Sequence, residues 1–527
     1  MPRRPLPVPP AAALTAVAVA LAGCGGGARS STATPVVDHG TVRIAVPSET
    51  PSFNPYSAFG AGPARYAYDS LVNVTADGAL VSGLATSWQA TTTTATFTLR
   101  RGVTCSDGTA LTASAVARAL TYAGDPANQL AGARTILPSV PFTATADDTA
   151  GTVSATTTAP YPFLTRTLGL LPIVCPAGLD RPQSLDRTTA GTGPYVLTRY
   201  AAGGPYEFAV REGYTWGPDG ATTATPGQPA RIVISVLPQD STAANLLLTG
   251  GVNIATVHGP DRARLTGHGL TAADAATVVG LTFFNQRPGR QLGDPAVRRA
   301  LVAALDRRGL ANVAVGGTGR PAADFGAAGT LCHADLAAAN LPAQDAADAL
   351  RADGWTRTAE GRLAKDGRPL RLRLITSSEL GPTLPSVAEL MARTWTALGA
   401  DVRLVSESLP ALVNAMYQTG DFDVVIGSTP GFALPVGFIP FFSGPPPAQG
   451  LNFAGVANPE YDALVAQALQ ETDTAGCDTW NRAAAALFRS ADALPIADGH
   501  STVYGCRTAF ATGFGGAVIP TSIRLHR

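Results

Sequence analysis

Helix and strand signals alternate along the last third of the chain, and this alternation constrains the fold more than any other feature. The helical periodicity of residues 387–398 ends at Gly399 and leads directly into the strand-like segment 401–405. A second short strand is predicted over 421–427, and Asn458 has the position of a helix N-cap. Because hairpin signals occur earlier in the chain, the pattern predicts an α/β fold with mixed sheets.

Local signals predict further elements in the first two thirds. Residues 41–46 alternate as a strand, and the apolar segment 67–74 is predicted to be helical. Asp294 followed by Pro295 is the strongest helix start, since Asp is a good N-cap and Pro fits the first helical turn.

Composition narrows the class of protein. The 527 residues are 45% apolar and 14% charged, against about 25% charged in ordinary soluble proteins. Basic and acidic residues number 38 each, so no net field attracts nucleic acid, and no nucleic-acid partner is expected. Lys365 is the only lysine in the sequence, which excludes a Walker-type phosphate site.

Enzyme motifs are missing from the sequence. It contains no Gly-x-Ser-x-Gly and no His-Glu-x-x-His, and its six histidines are scattered. We therefore expect a protein that is not an enzyme and that uses no cofactor and no metal. A carboxylate pair for glycoside hydrolysis needs no motif, so an extracytoplasmic hydrolase stays open as a weaker alternative.

The N-terminus has the pattern of an export signal. Arg3 and Arg4 precede a short apolar run over 11–22, which is too short to span the roughly 30 Å hydrocarbon layer. Residues 21–24, Leu-Ala-Gly-Cys, resemble the bacterial lipobox. We predict a lipoprotein signal peptide over 1–23, lipidation of Cys24 and a flexible tether over 24–39, with the protein held outside the cytoplasmic membrane. An ordinary cleaved signal is the alternative.

Five further cysteines would lie in an oxidising compartment. Two disulfides and one free thiol are expected, because none of the five has the spacing of a zinc site. The preferred pairs are Cys105–Cys175 and Cys477–Cys506, although the sequence alone leaves the connectivity open.

Several motifs, read in order, resemble family 5 of the extracytoplasmic solute-binding proteins, the peptide- and nickel-type receptors of ABC importers. The resemblance covers nearly the whole mature chain and rests on segments 84–88, 97–103 with 107–109, 191–195 with 214–216, 284–285 with 294–307, and 458–462 with 494–496.

The resemblance implies a two-lobed clamshell of the periplasmic-binding-protein type, with mixed sheets and an extra subdomain in the first lobe. Lobe I would comprise residues 40–280, with the inserted subdomain at roughly 66–185, and residues 491–527 would return to it. Lobe II would comprise residues 281–490. The implied partners are a small-molecule or peptide ligand and the ABC permease subunits in the membrane, and the lipid-anchored protein is expected to be a monomer.

Ligand contacts are predicted on loops that would face the cleft between the lobes. The candidates follow the first strand, the inter-lobe strand and the strand near Asp423: Phe53, Asn54, Tyr56, Phe284, Asn285, Ser428, Thr429, Phe432 and Phe438.

The third of these regions departs from the family. Peptide receptors usually carry a Trp and then an Asp there, and the Asp pairs with the amine of the peptide, whereas residues 427–432 read Gly-Ser-Thr-Pro-Gly-Phe. A buried ammonium without a carboxylate would be strongly destabilised. We therefore expect a blocked or hydrophobic peptide, a neutral compound or a metal chelate. The same clamshell could also serve a sensor or a scaffold without transport.

Overall fold

This computed structural model describes residues 35–57, 62–259, 261–342, 345–428 and 432–527. The described strands are β1 (Thr41–Val46), β2 (Val72–Val74), β3 (Leu80–Ser82), β4 (Ala85–Ala90), β5 (Thr94–Leu99), β6 (Phe142–Asp147), β7 (Thr152–Thr157), β8 (Tyr195–Arg199), β9 (Tyr206–Val210), β10 (Arg231–Val236), β11 (Ile254–Val257), β12 (Thr271–Phe284), β13 (Arg320–Pro321), β14 (Thr356–Arg357), β15 (Leu363–Lys365), β16 (Arg368–Pro369), β17 (Arg371–Thr376), β18 (Asp401–Ser406), β19 (Val424–Gly427), β20 (Ala493–Gly505), β21 (Thr508–Ala509) and β22 (Arg524–Leu525).

The described helices are α1 (Ala113–Gly124), α2 (Ala131–Arg134), α3 (Leu164–Gly169), α4 (Pro176–Asp180), α5 (Asp240–Thr249), α6 (Asp261–Leu265), α7 (Pro295–Ala303), α8 (Arg307–Val315), α9 (Ala337–Asn340), α10 (Ala346–Ala352), α11 (Leu384–Leu398), α12 (Leu409–Asn414), α13 (Ile439–Phe442), α14 (Pro459–Ala468) and α15 (Cys477–Arg489). No helix of these described segments has the length and apolarity that a membrane crossing needs.

A mixed sheet in the order β18-β17-β19-β12-β20-β11-β1-β10-β9-β8 organises the structure, with β13 beside β20. We call β11-β1-β10-β9-β8 the N-terminal half-sheet and β19-β17-β18 the C-terminal half-sheet. Strands β1, β10 and β11 are parallel, as are β17, β18 and β19. The long antiparallel pair β12 and β20 joins the two half-sheets. The predicted α/β fold with mixed sheets is confirmed.

A separate four-stranded sheet, β4-β5-β7-β6, lies within residues 85–157. Helix α1 packs on β6 and β7 of this sheet, and the Thr112 side chain caps α1 by accepting from the Ala115 N–H. Val116 and Leu120 are fully buried on the packed face of α1. This sheet lies inside the range predicted for the inserted subdomain, whose boundaries stay a prediction.

Most of the individual elements agree with the local signals. Strand β1 has the predicted bounds, and α7 begins at Pro295, where the Asp294 side chain accepts from the Ala296 N–H. The predicted helix over 67–74 is wrong, because residues 72–74 form strand β2 instead. The side chain of Asp69 accepts hydrogen bonds from Tyr214 and Thr192, and these tertiary contacts override the local apolar pattern.

Candidate functional site

The joining strands β12 and β20 carry an irregularity about two-thirds of the way along β12. Their register runs from Thr271 opposite Gly505 to Phe283 opposite Ala493, and Gly280 interrupts it with a φ of +80°. A Cβ at Gly280 would lie 3.0 Å from Ile496 Cγ1 and 3.1 Å from Leu384 Cδ2. Both the backbone conformation and the close packing therefore favour glycine at the point where the two half-sheets are joined.

An aromatic pocket lies beyond the carboxyl end of β19. Phe432 and Phe438 are in edge-to-face contact, with 5.2 Å between ring centroids, and Phe325 stacks on Phe488 at 4.4 Å. The cavity between these elements is narrow, at about 50 Å³. The pocket is lined by Asp324, Phe325, Gly326, Thr330, Leu331, Cys332, Phe432, Leu434, Pro435, Phe438, Phe442, Tyr461, Trp480, Asn481, Ala483, Ala484 and Leu487.

Asp324 is the one carboxylate among the described residues lining this aromatic pocket. Its side chain accepts from the Phe325 N–H at 2.7 Å and from the Ala334 N–H at 3.2 Å, and His333 Nδ1 lies 3.9 Å from Oδ2. Burial raises the pKa of Asp324, although the two backbone donors oppose the change. The carboxyl group keeps acceptor capacity for a further N–H or O–H, because each of its oxygens has two lone pairs.

The pocket also contacts the segment that precedes α3. Phe163 and Trp480 lie with ring centroids 6.1 Å apart, and the Asp473 N–H donates to Pro162 O at 2.9 Å. Arg166 Nε donates to Asp473 Oδ1 at 2.9 Å, and the Arg166 side chain is 8% exposed. These contacts connect the part of the chain before β12 with the wall of the pocket.

One of the two predicted disulfides is confirmed and the other is wrong. Cys105 and Cys175 are bonded, as predicted, but Cys477 is bonded to Cys332, which lines the aromatic pocket. Among the cysteines that the structure describes, Cys506 has a free thiol. It follows the far end of the 13-residue strand β20, where its backbone N–H donates to Asn253 O beside β11. Strand β20 therefore carries Cys506 away from the helix start that Cys477 occupies.

The first group of predicted ligand residues is packed inside the protein. Phe53 is 0% exposed and contacts Tyr206, with 5.2 Å between ring centroids. Tyr56 is also buried, and its hydroxyl oxygen accepts from the Val174 N–H. The Asn54 side chain accepts from the Tyr56 N–H in the same turn. These contacts give all three residues structural partners, and their contact with a ligand stays a prediction.

The second group of predicted ligand residues is buried at the carboxyl end of β12. Phe284 is fully buried, and Asn285 Nδ2 donates to Phe422 O at 2.7 Å while its Oδ1 accepts from the Arg287 N–H. Both residues therefore hold the end of β12 to the segment that leads into β19. A role in ligand contact stays a prediction for them.

The third group is the one that the structure brings to a pocket. Phe432 and Phe438 line the aromatic pocket, and Ser428 follows β19 directly. Thr429 lies outside the described residues, as does Cys24. A ligand contact for these residues stays a prediction.

Sequence reasoning missed the other side of the aromatic pocket. Asp324, Phe325 and Trp480 come from segments more than 40 residues away from Phe432 along the chain. An acidic residue next to an aromatic one in an otherwise apolar segment was the available signal at Asp324. This signal did not indicate which residues would contact Asp324. Only the fold brings the segment after β13, which contains Asp324, next to α15, which contains Trp480. Within the described residues, no His, Cys, Asp and Glu cluster could hold a metal ion.

Comparison with known proteins identifies the family. The model of the bacterial extracellular solute-binding proteins, family 5 Middle, matches residues 79–448. Protein XP55 of Streptomyces lividans is 33% identical over 297 residues, which cover 54% of this chain and 51%, about half, of that protein. The nickel-binding periplasmic protein of Escherichia coli (strain K12) is 27% identical over 395 residues, covering 69% of this chain and 70% of that protein.

A solved structure agrees with this family match. The substrate-binding protein of Microbacterium hydrocarbonoxydans, complexed with 4-hydroxybenzoate hydrazide, is 28% identical, with a TM-score of 0.70 over 92% of this chain and 99% of that one. The predicted two-lobed fold is confirmed, and the family consists of solute-binding proteins rather than enzymes. The chain belongs to the bacterial extracellular solute-binding proteins, family 5.

Proposed function

We propose that this protein is the membrane-anchored substrate-binding component of an ABC importer. It captures a small solute between two lobes and delivers it to the permease. We propose the lobe boundaries that the sequence predicts, 40–280 with 491–527 for lobe I and 281–490 for lobe II. The observation that supports capture is the joining pair β12 and β20, with Gly280 inside β12. Two strands, one of which contains a glycine, provide a narrow connection about which two bodies can rotate.

The ligand proposal rests on the aromatic pocket. Phe432, Phe438 and Trp480 offer apolar area, and Asp324 offers an acceptor at the same pocket. We infer a ligand with an aromatic or apolar group and an N–H or O–H directed at Asp324. The Microbacterium protein was solved with an aromatic hydrazide, which has both features. Because the cavity of about 50 Å³ is smaller than such a group, binding requires the pocket to widen.

Calorimetry tests the ligand class. We expect 4-hydroxybenzoate hydrazide or N-acetylated apolar peptides to bind, and free tri- to pentapeptides to bind at least about tenfold more weakly. Asp324, the one carboxylate among the described lining residues, already accepts from two backbone N–H groups and has a raised pKa, so it compensates a buried ammonium poorly. Phe438→Ala should weaken binding about tenfold or more by removing an aromatic wall. The control is Val413→Ala, an exposed apolar residue on α12, which should leave affinity unchanged. Micromolar binding of free peptides that vanishes on N-acetylation would contradict the ligand proposal.

Two cellular measurements test the remaining parts. Cys24→Ser should release the protein from the membrane, and mass spectrometry of the mature N-terminal peptide should show acyl chains on Cys24 in the unaltered protein. Deletion of the gene should abolish uptake of the ligand found by calorimetry. Unchanged uptake alongside tight binding would refute import while leaving solute binding intact.

A further inference from the structure

Arg287 occupies an unusual position three residues after the carboxyl end of β12. Its side chain passes between two glycines in the left-handed region, Gly420 and Gly455, each with a φ of +66°. A Cβ at Gly455 would lie 2.9 Å from Arg287 Cγ, and a Cβ at Gly420 would collide with Arg287 Nη1. The two glycines therefore leave open the space that the arginine side chain occupies.

The Arg287 side chain is half-buried, and protein groups satisfy its guanidinium only in part. Arg287 Nη2 donates to Met416 O, but Nε is buried and has no hydrogen-bond partner. No described carboxylate forms an ion pair with Arg287, and the positions outside the described segments contain no Asp or Glu. The carboxylate of Asp423 pairs with other groups instead of Arg287, since its oxygens accept from Arg290 Nη1 and from the Arg373 N–H. Burial lowers the pKa of Arg287, and the charge of Arg290 lowers it further.

A cavity opens over this guanidinium. Its volume is about 490 Å³, which is within the range of small-molecule sites, and its walls include Tyr417, Pro446 and Pro447. The amide of Gln418, which is exposed, also lines the cavity. The cavity thus combines a cation that has no ion-pair partner among the described residues with apolar and aromatic surface and a neutral hydrogen-bonding group.

The Arg287 cavity is distinct from the aromatic pocket. In the antiparallel pairing of β12 with β19, Phe284 is opposite Val424, whereas Leu281 is opposite Gly427. Arg287 therefore lies beyond the amino end of β19. The described linings of the two cavities share no residue, so the Arg287 cavity is separate from the aromatic pocket.

We propose that the Arg287 cavity is a second ligand site that binds a small organic carboxylate with an apolar or aromatic body. The carboxylate pairs with the accessible N–H groups of the Arg287 guanidinium, and the body packs on Tyr417 and Pro446. An arginine suits this role because its planar group binds a carboxylate through two hydrogen bonds. The site does not depend on transport, and it can be occupied while the aromatic pocket is empty.

Calorimetry with benzoate and its neutral isostere benzamide tests this site in the full-length protein. We expect saturable benzoate binding and at least about tenfold weaker benzamide binding, because only the carboxylate pairs with the cation. Arg287→Met should reduce benzoate affinity at least about tenfold. The control Arg403→Met removes an exposed arginine on β18 and should leave the affinity unchanged.

Thermal unfolding distinguishes a loss of benzoate binding from a folding defect of the variant. Benzoate should raise the unfolding temperature of the unaltered protein and of Arg403→Met, but not that of Arg287→Met, whose own unfolding temperature should be no lower than that of the unaltered protein. The proposal is overturned if benzoate does not bind at millimolar concentrations, or if benzamide binds equally well. It is also overturned if Arg287→Met retains full benzoate affinity, since benzoate would then occupy another site such as the aromatic pocket.

Discussion

The parts of the chain before and after β12 each hold a hydrogen-bonded carboxylate, half-buried at Asp69 and buried at Asp492, and they stabilise it differently. On the C-terminal side, Asp492 pairs with Arg298 at 2.8 Å, and both side chains are nearly inaccessible, at 1% and 4%. On the N-terminal side, Asp69 accepts from three neutral groups: Tyr214 Oη at 2.8 Å, Thr192 Oγ1 at 3.0 Å and Trp216 Nε1 at 3.2 Å. The first carboxylate has a full counter-charge in contact, whereas the second has mainly dipoles.

This difference has consequences for protonation. Burial raises the pKa of Asp69 to about 6, since three neutral hydrogen bonds and a more distant Arg211 offset only part of the desolvation. Burial also raises the pKa of Asp492, although the charge of Arg298 opposes it. A buried ion pair is therefore most sensitive to the loss of its partner, and a dipole-stabilised carboxylate is most sensitive to pH.

The largest expected effect comes from breaking the ion pair. Arg298→Met should lower the free energy of unfolding by about 3–5 kcal/mol, because it leaves the Asp492 carboxylate buried without a cation. Arg298 also donates to Leu292 O at 2.8 Å, so a backbone acceptor loses its partner as well. Urea unfolding at neutral pH measures the change.

The double variant Arg298→Met with Asp492→Leu is the control for that experiment. It removes both charges and should recover a large part of the loss. A single variant that changes stability by less than about 1 kcal/mol would show that the pair is not the main electrostatic feature of this region.

The parts of the chain before and after β12 each also contain one disulfide. Cys105–Cys175 spans 70 residues before β12, and Cys332–Cys477 spans 145 residues after it. Replacing either pair with serines should cost about 2–4 kcal/mol of unfolding free energy. The loss should be about 0.6 kcal/mol greater for the second pair, since its loop is about twice as long.

The free thiol supplies the control for this pair of measurements. Cys506→Ser should leave stability nearly unchanged, because Cys506 has no disulfide partner among the described residues. Peptide mapping without reduction should recover Cys332 linked to Cys477. A Cys477–Cys506 peptide would contradict the connectivity in the structure.

The smallest expected effect is the pH dependence at Asp69. Its pKa is about 6 in the folded protein against 3.8 ordinarily, so the folded state binds more protons than the unfolded state between these values. The free energy of unfolding therefore rises as the pH falls from 6 to 3.8, by at most about 3 kcal/mol, relative to a variant that cannot titrate there.

Asp69→Asn provides that reference, because asparagine has the same shape and no charge. Unfolding curves of both proteins at several pH values give the difference in stability, which should favour the unaltered protein more strongly at the acidic end. A difference that stays constant between pH 6 and 3.8 would contradict the raised pKa of Asp69.

Much of the fold could be predicted because its signals are local. The cap at Asp294, the strand at 41–46 and the helix after Asn458 each depend on a few neighbouring residues, and the structure confirms them. The segment 67–74 could not be predicted in this way. Its Asp69 is held by residues more than 120 positions away, and such contacts outweigh the weak helical preference of a short apolar run.

The residues of the candidate sites also differ in whether a local sequence signal predicts them. Phe432 and Phe438 were predicted from the loop after β19, whereas Asp324 and Trp480 come to the same pocket from distant segments. Arg287 had no sequence signal at all, because its importance depends on two glycines of remote loops and on the lack of an ion pair with any described carboxylate.

The sequence by itself determined the α/β class and the family, since periodicity, turn chemistry and motif order act over short stretches of chain. It also determined the net charge of zero and the single lysine. The tertiary structure alone decided which cysteine pairs with Cys477, which carboxylate joins the aromatic pocket and which arginine lines a cavity without an ion-pair partner among the described residues. Pairing, burial and charge compensation depend on distances between residues far apart in sequence, and only the packed chain sets those distances.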